Sequence, residues 1–181
     1  MNKAGCFLIQ KNISAAQLDE EFEIISSGIR KISLPQSFLQ SIFFIISELF
    51  SNIKEHSLAK NATFKIELRN EHLLLLMADD GIGLRQSYLS KEIMSKSDQS
   101  AIELALSGLS TKDFKERGFG LYSIRRLTIA LEGKFSLSSG KAKAEIEKNS
   151  IKFKNLQKGI KGVAVQIKSN IRPLDFYKYV E

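Results

Sequence analysis

Glu48 and Asn52 stand four residues apart in Glu48-Leu49-Phe50-Ser51-Asn52. On a helix that spacing puts both side chains on one face. An amide oxygen is a suitable hard ligand for magnesium. A carboxylate one turn away can hold and deprotonate a water or a hydroxyl. Taken alone, the pair equally fits two polar residues on the solvent face of an amphipathic helix. A second constellation is Asp79-Asp80-Gly81-Ile82-Gly83, directly after an apolar run. Two glycines two apart open backbone conformations closed to other residues and let a ligand come close. A carboxylate at a strand end can accept a hydrogen bond from an exocyclic amine. A plain Asp-Gly turn is the competing reading, although a turn needs only one glycine. The third is Arg117-Gly118-Phe119-Gly120-Leu121, opening a helix. Backbone amides at a helix start form an anion site, and glycines admit phosphates. A flexible helix entry would look the same.

Neither glycine pair fits a dinucleotide-binding turn. The sixth position of that pattern is Gln86 in one case and Ser123 in the other, where Gly or Ala is wanted. No phosphate loop ending in Gly-Lys-Ser/Thr occurs.

The elements that must position these residues are legible from periodicity. Gly5–Gln10 reads as a short strand. Ser14 is a candidate cap for a helix through Leu18, Phe22, Ile25 and Ile29. Leu34-Pro35 breaks it. A second helix is expected over 36–56, buried in its all-apolar middle, Ile42–Ile46. Thr63–Arg69 alternates as a half-buried strand. Glu71-His72 reads as a turn. Leu73–Ala78 reads as a central strand covered on both faces. Residues 85–117 are irregular, with a turn or two of helix at Ile102–Leu106. A helix follows Gly118, with Leu121, Ile124, Leu127 and Leu131 inward and Gly133 as its stop. Four short strands follow, at Lys134–Ser138, Lys143–Glu147, Ile151–Lys154 and Val163–Lys168, as an antiparallel meander. The aromatic tail after Pro173 is expected to dock on the body. Strands cluster without strict alternation with helices, which argues an α+β two-layer sandwich.

The 181 residues fit one domain able to bury a core without staples. Cys6 is the single cysteine, so no internal disulfide can form; it reads as a buried small hydrophobe. No run approaches the roughly 20 apolar residues of a membrane helix, and the N-terminal apolar run is too short for a signal peptide. A cytoplasmic protein is expected. The net charge is +7, but the lysines look dispersed and often alternate, as in Ile151-Lys152-Phe153-Lys154. They read as a solvated strand face rather than a nucleic-acid patch.

In this order and setting, the three constellations resemble the nucleotide-binding boxes of the Bergerat-fold (GHKL) ATPases, the superfamily of gyrase B, histidine kinases and MutL. Glu48–Asn52, extended by His56-Ser57, is similar to the N box. Asp79–Gly83 is similar to the first glycine box and Gly118-Phe119-Gly120-Leu121 to the second. The resemblance spans about 36–170 and implies a single histidine-kinase-like ATPase domain over 1–181. The fold it implies is a two-layer sandwich with a mostly antiparallel mixed sheet and helices on one face. It implies ATP and magnesium as ligands. Asn52 would bind magnesium, Glu48 would be general base and Asp79 would bond the adenine amino group. Gly81 and Gly83 would shape the adenine end. Gly118 and Gly120 would shape the phosphate end, His56, Arg117, Phe119 and Leu121 would join the ATP site, and 84–117 would be the lid.

Two positions depart from the family pattern. Glu55 stands where histidine kinases commonly carry lysine, and Val163 follows Gly162 where Thr is frequent. The only histidines in this sequence are His56 and His72, neither on a phosphoacceptor hairpin, so a complete histidine kinase is not expected. The frame looks closest to stand-alone anti-sigma-factor serine kinases of bacterial signalling, which phosphorylate one small partner protein and bind another. Two alternatives stay open: a nucleotide-dependent binding module with little turnover, and an ATPase whose ATP binding drives homodimerisation.

Overall fold

A computed structural model describes residues 7–108, 120–148 and 150–180. Five strands form one antiparallel sheet: β1 (Phe7–Ser14), β2 (Asn61–Arg69), β3 (His72–Asp79), β4 (Lys134–Glu147) and β5 (Ser150–Asn170), in the order β1-β2-β3-β5-β4. The helices are α1 (Leu18–Arg30), α2 (Gln36–Asn52), α3 (Gly83–Leu89), α4 (Asp98–Leu106), α5 (Gly120–Ala130) and the short α6 (Tyr177–Val180). The core lies between one sheet face and the helices, as expected of an α+β two-layer sandwich. Among the described residues the sheet is purely antiparallel rather than mixed.

Several boundaries differ from the sequence expectation for clear reasons. β1 runs on to Ser14 because its second half pairs with Asn61–Phe64. Ser14 gives no side-chain cap; a 3-10 turn, Ala15–Gln17, precedes α1. The turn before β3 is Asn70-Glu71, both left-handed at φ 49° and 62°. A two-residue turn with φ positive at both positions suits a hairpin, so His72 belongs to the strand. β3 is covered on one face only: Leu73, Leu75 and Met77 are buried, while Leu74, Leu76 and Ala78 are half-buried on the open face. Cross-strand Lys65, Glu67, Gln166 and Lys168 flank them there. The four expected strands of the meander are two long ones, folded as a hairpin. The register shifts at Ser139/Gly140 and Gly140/Ala142, so the gaps between the expected strands around Gly140 and Gly162 are bulges within continuous strands.

α2 buries Phe38, Ile42, Ile45, Ile46 and Phe50. Phe50 meets Phe64 of β2 edge to face at 5.8 Å between ring centres, which ties α2 to the sheet. Phe43 and Phe44 face outward but are not bare. Arg30 lies 5.0 Å above the Phe43 ring, and Phe176 of the tail packs on Phe44 at 5.8 Å. The tail docks as expected, and Leu174 N donates to Ser37 Oγ. At the end of α5 it is Glu132, not Gly133, that turns left-handed (φ 55°). Gly133 is required for another reason: a Cβ there would overlap the Lys168 carbonyl oxygen. Cys6 lies outside the described residues.

Candidate functional site

α2 does not stop at Asn52 but widens into a π-turn, Ile53–Ser57, closed by left-handed Leu58 (φ 52°). Such widened turns recur at functional sites because they re-aim side chains along the helix. Here the turn presents the Ser57 carbonyl to the strand end. That oxygen accepts from Ile82 N at 2.8 Å, and a Cβ on Gly81 would overlap it. The first glycine pair therefore divides its work. Gly81 lets the π-turn and the β3 end meet, while Gly83 lines a pocket and starts α3 at φ 77°.

The two aspartates point in opposite directions. Asp79 is buried and faces the pocket. Its Oδ1 accepts from Gly81 N at 2.8 Å and its Oδ2 from Val163 N at 3.2 Å. A carboxylate has about four acceptor positions, so capacity remains for a ligand donor. Burial pushes its carboxyl above the usual range; the two backbone N–H groups oppose this and the Asp80 charge adds to it. Asp80 turns to solvent. It accepts from the backbone N–H groups of Asn61 and Lys60 and from the Asn61 amide. Led by the Asn61 backbone bond, these contacts lower its carboxyl to about 2. A lowered folded-state pKa gives stability present above the unfolded value and lost as pH falls through the folded one. Asp80→Asn should therefore flatten the loss of stability between about pH 4 and 2, read from melting temperature against pH.

Glu48 and Asn52 converge on the start of α5. A Cβ on Gly120 would overlap Glu48 Oε2 and lie 3.7 Å from Asn52 Nδ2. Only hydrogen at that position lets α5 start this close to the two side chains. The Asn52 amide Nδ2 is buried without a hydrogen-bond partner among the described residues, an arrangement that proteins rarely leave unmet. Rotation about Cβ–Cγ presents the amide oxygen in the same place. No group of three His, Cys, Asp or Glu able to hold a metal occurs among the described residues. Magnesium usually takes one or two protein ligands and completes its shell with phosphates and water, so a single amide fits it.

The pocket has an apolar wall of Leu49, Ile53, Met77, Leu84 and Val165, with Asp79 at one end and Glu48, Asn52 and Gly120 at the other. An apolar slot with a few placed polar groups suits a flat heteroaromatic base carrying phosphates. His56 and Leu121 also line it. Arg117, Gly118 and Phe119 lie outside the described residues. Glu55 is bonded by the Ser51 hydroxyl and does not line the pocket, so the acid at this position does not oppose phosphates within it. Val163 contributes through its backbone N–H, which no loss of a hydroxyl affects.

The sequence reading missed residues that close the site. Ser139, buried in β4, accepts from Leu84 N at 2.9 Å and donates to the Gly162 carbonyl at 3.2 Å. It joins the start of α3 to the hairpin, and no motif marks it. Tyr88 of α3 and Ala105 of α4 line the pocket from the lid side. Burial raises the Tyr88 hydroxyl to about 12, so it stays protonated at all physiological pH. The described part of 84–117, expected to be irregular, thus carries two helices, and α4 is fastened: Asp98 Oδ2 accepts from Lys141 N at 2.8 Å. Gly140 is left-handed at φ 57°, and a Cβ there would overlap the Asp98 carboxylate.

Fold and pocket together define an antiparallel α/β sandwich with a pocket between the sheet end and α2, also lined by residues of α3 and α4. The family model described as histidine kinase-, DNA gyrase B-, and HSP90-like ATPase matches residues 39–167, and the chain belongs to that ATP-binding family. No curated protein matches the chain. Among the described residues no helix is long and apolar enough to cross a membrane.

Proposed function

We propose that this chain is a regulatory protein kinase that binds Mg-ATP in the pocket and phosphorylates a hydroxyl of a small partner protein. The observation that carries this reading is the convergence of Glu48, Asn52 and Gly120 at the pocket end opposite Asp79. In this reading Asp79 accepts from the adenine amino group and the apolar wall holds the ring. Asn52 holds magnesium, which when bound neutralises the phosphate charge. Gly120 and the backbone N–H groups at the α5 start face the phosphates. The partner's hydroxyl oxygen bonds the terminal phosphorus while the bond from that phosphorus to the ADP oxygen breaks. Glu48 takes the hydroxyl proton, and ADP leaves with the electron pair.

The test combines thermal unfolding with transfer of labelled terminal phosphate. Glu48→Gln should lower transfer by about a hundredfold or more and leave the Mg-ATP-induced rise in melting temperature intact. Transfer that survives the substitution removes Glu48 as base. Binding without transfer or hydrolysis in the wild type would favour a nucleotide-gated binding module. ATP-dependent doubling of mass would favour the dimerising ATPase.

A further inference from the structure

The net charge of this protein resides in one element. Residues 134–168, the β4–β5 hairpin, hold nine lysines and two glutamates, a net +7 equal to that of the whole chain. The rest of the chain is balanced at eighteen cations and eighteen anions. The lysines are thus concentrated in space, although their local alternation makes them look dispersed.

Where the hairpin end meets α5, a groove of about 470 Å³ opens. Its apolar lining includes Ile129, Ile146 and Ile151, the last two cross-strand partners. Ile151 is 44% exposed, high for an isoleucine. The groove's charged residues are Arg125, Arg126 and Lys148, with no carboxylate in the lining. Among the described residues none of the three is ion-paired. Arg126 is held in place: it lies between the rings of Tyr122 and Tyr179, 5.6 and 5.8 Å from their centres, and donates to the Lys178 carbonyl. A stacked guanidinium with unused donors is pre-organised for a carboxylate.

We infer that this groove docks an acidic amphipathic segment of a partner protein, with apolar side chains on the isoleucine floor and carboxylates against Arg125, Arg126 and Lys148. The charge selects an anionic partner. The apolar floor selects a peptide over nucleic acid, whose phosphates and sugars gain nothing from three isoleucines. The inference names partner chemistry for the kinase reading and rests on it only in assuming that a protein partner exists.

The experiment is a fluorescence anisotropy titration of the full chain with a labelled 18-residue helical peptide of leucine and glutamate. Its leucines recur at three- and four-residue steps. The comparison probes are a peptide of the same composition in scrambled order and a 20-nucleotide single-stranded DNA. The patterned peptide should bind at least tenfold more tightly than the scrambled one. Lys148→Glu and, separately, the charge-neutral Ile151→Ser should each weaken it by about fivefold or more. Both positions are at the exposed hairpin end, and the Mg-ATP melting shift of each variant reports that the pocket is intact. Equal binding of both peptides, tighter binding of the DNA, or indifference to both substitutions overturns the assignment. So does concentration-dependent self-association abolished by Lys148→Glu, because the occupant would then be the acidic α1 of a second copy. Peptide binding without any Mg-ATP shift in the wild type would remove the kinase reading and leave the groove standing.

Discussion

Asp79→Asn is expected to abolish stabilisation by Mg-ATP while leaving the nucleotide-free protein folded. In the wild type, two backbone N–H groups already bond the carboxylate, one from Gly81 just after β3 and one from Val163 within β5. An asparagine has one acceptor oxygen and two N–H donors. Gly81 N, Val163 N and the adenine amine then compete for that oxygen, and the new NH₂ faces at least one other donor. A lost charge-assisted bond and an unpaired buried donor together amount to about 3–5 kcal/mol, or two to four decades in affinity. Wild-type protein with ligand at about 100 times Kd gains roughly 2.7 kcal/mol, a rise of about 5–10 °C in Tm for a domain of this size. The variant should show none at the same concentration. Its nucleotide-free stability has its own signature. The raised Asp79 pKa means that the fold holds the proton more tightly than the unfolded chain does. Wild-type stability from this group is therefore full below the unfolded pKa and falls as pH rises through the folded one. Asp79→Asn should remove that decline. A nucleotide shift that persists in the variant would place adenine elsewhere.

Gly162→Ala is expected to be the most damaging single-methyl change near the pocket. Gly162 is left-handed at φ 69°, which costs alanine about 1–2 kcal/mol. Its Cβ would also overlap the Asp79 backbone oxygen and come within 2.5 Å of Asp79 Oδ1. Neither atom can give way, because the first belongs to the sheet and the second to a carboxylate held by a backbone hydrogen bond on each oxygen. With overpacking at about 1–3 kcal/mol, the total is about 3 kcal/mol or more, a fall of roughly 6–12 °C in Tm. Gly159→Ala is the control on the same strand. Its nearest neighbour is the flexible Lys141 side chain at 3.2 Å, and its Tm should change by no more than about 2 °C. Circular dichroism melts without nucleotide decide both.

The residues that line the candidate site were more legible in the sequence than the sheet that carries them. Four-residue spacing and paired glycines are local signals, so Glu48, Asn52, Asp79 and Gly120 could be picked out before any fold was known. The hairpin could not, because a glycine in an alternating segment reads the same whether it ends a strand or bulges within it. Gly140 and Gly162 do the latter. Leu73–Ala78 was misread as doubly covered because long polar side chains on neighbouring strands, not a second layer of helices, flank its outer leucines. Ser139 carries no motif at all: its role arises from a contact across 55 residues. The concentration of charge in the hairpin is countable from the sequence, but alternation pointed to solvation and gave no reason to look for a groove.

The bond between Asp98 and the Gly140 bulge has a thermodynamic consequence. It fastens α4, which lines the pocket, to the very element whose far end carries the basic groove. If occupancy of that groove shifts the bulge, it alters how readily the lid opens and so how long nucleotide resides. Linkage then demands reciprocity: whatever factor a docked partner imposes on nucleotide affinity, nucleotide imposes on the partner. Each partner would thus sense the other through the packing of α4 on the hairpin, and Asp98→Ala, which removes one bond of that contact, should lower the coupling factor measured by titrating nucleotide with and without the docked peptide.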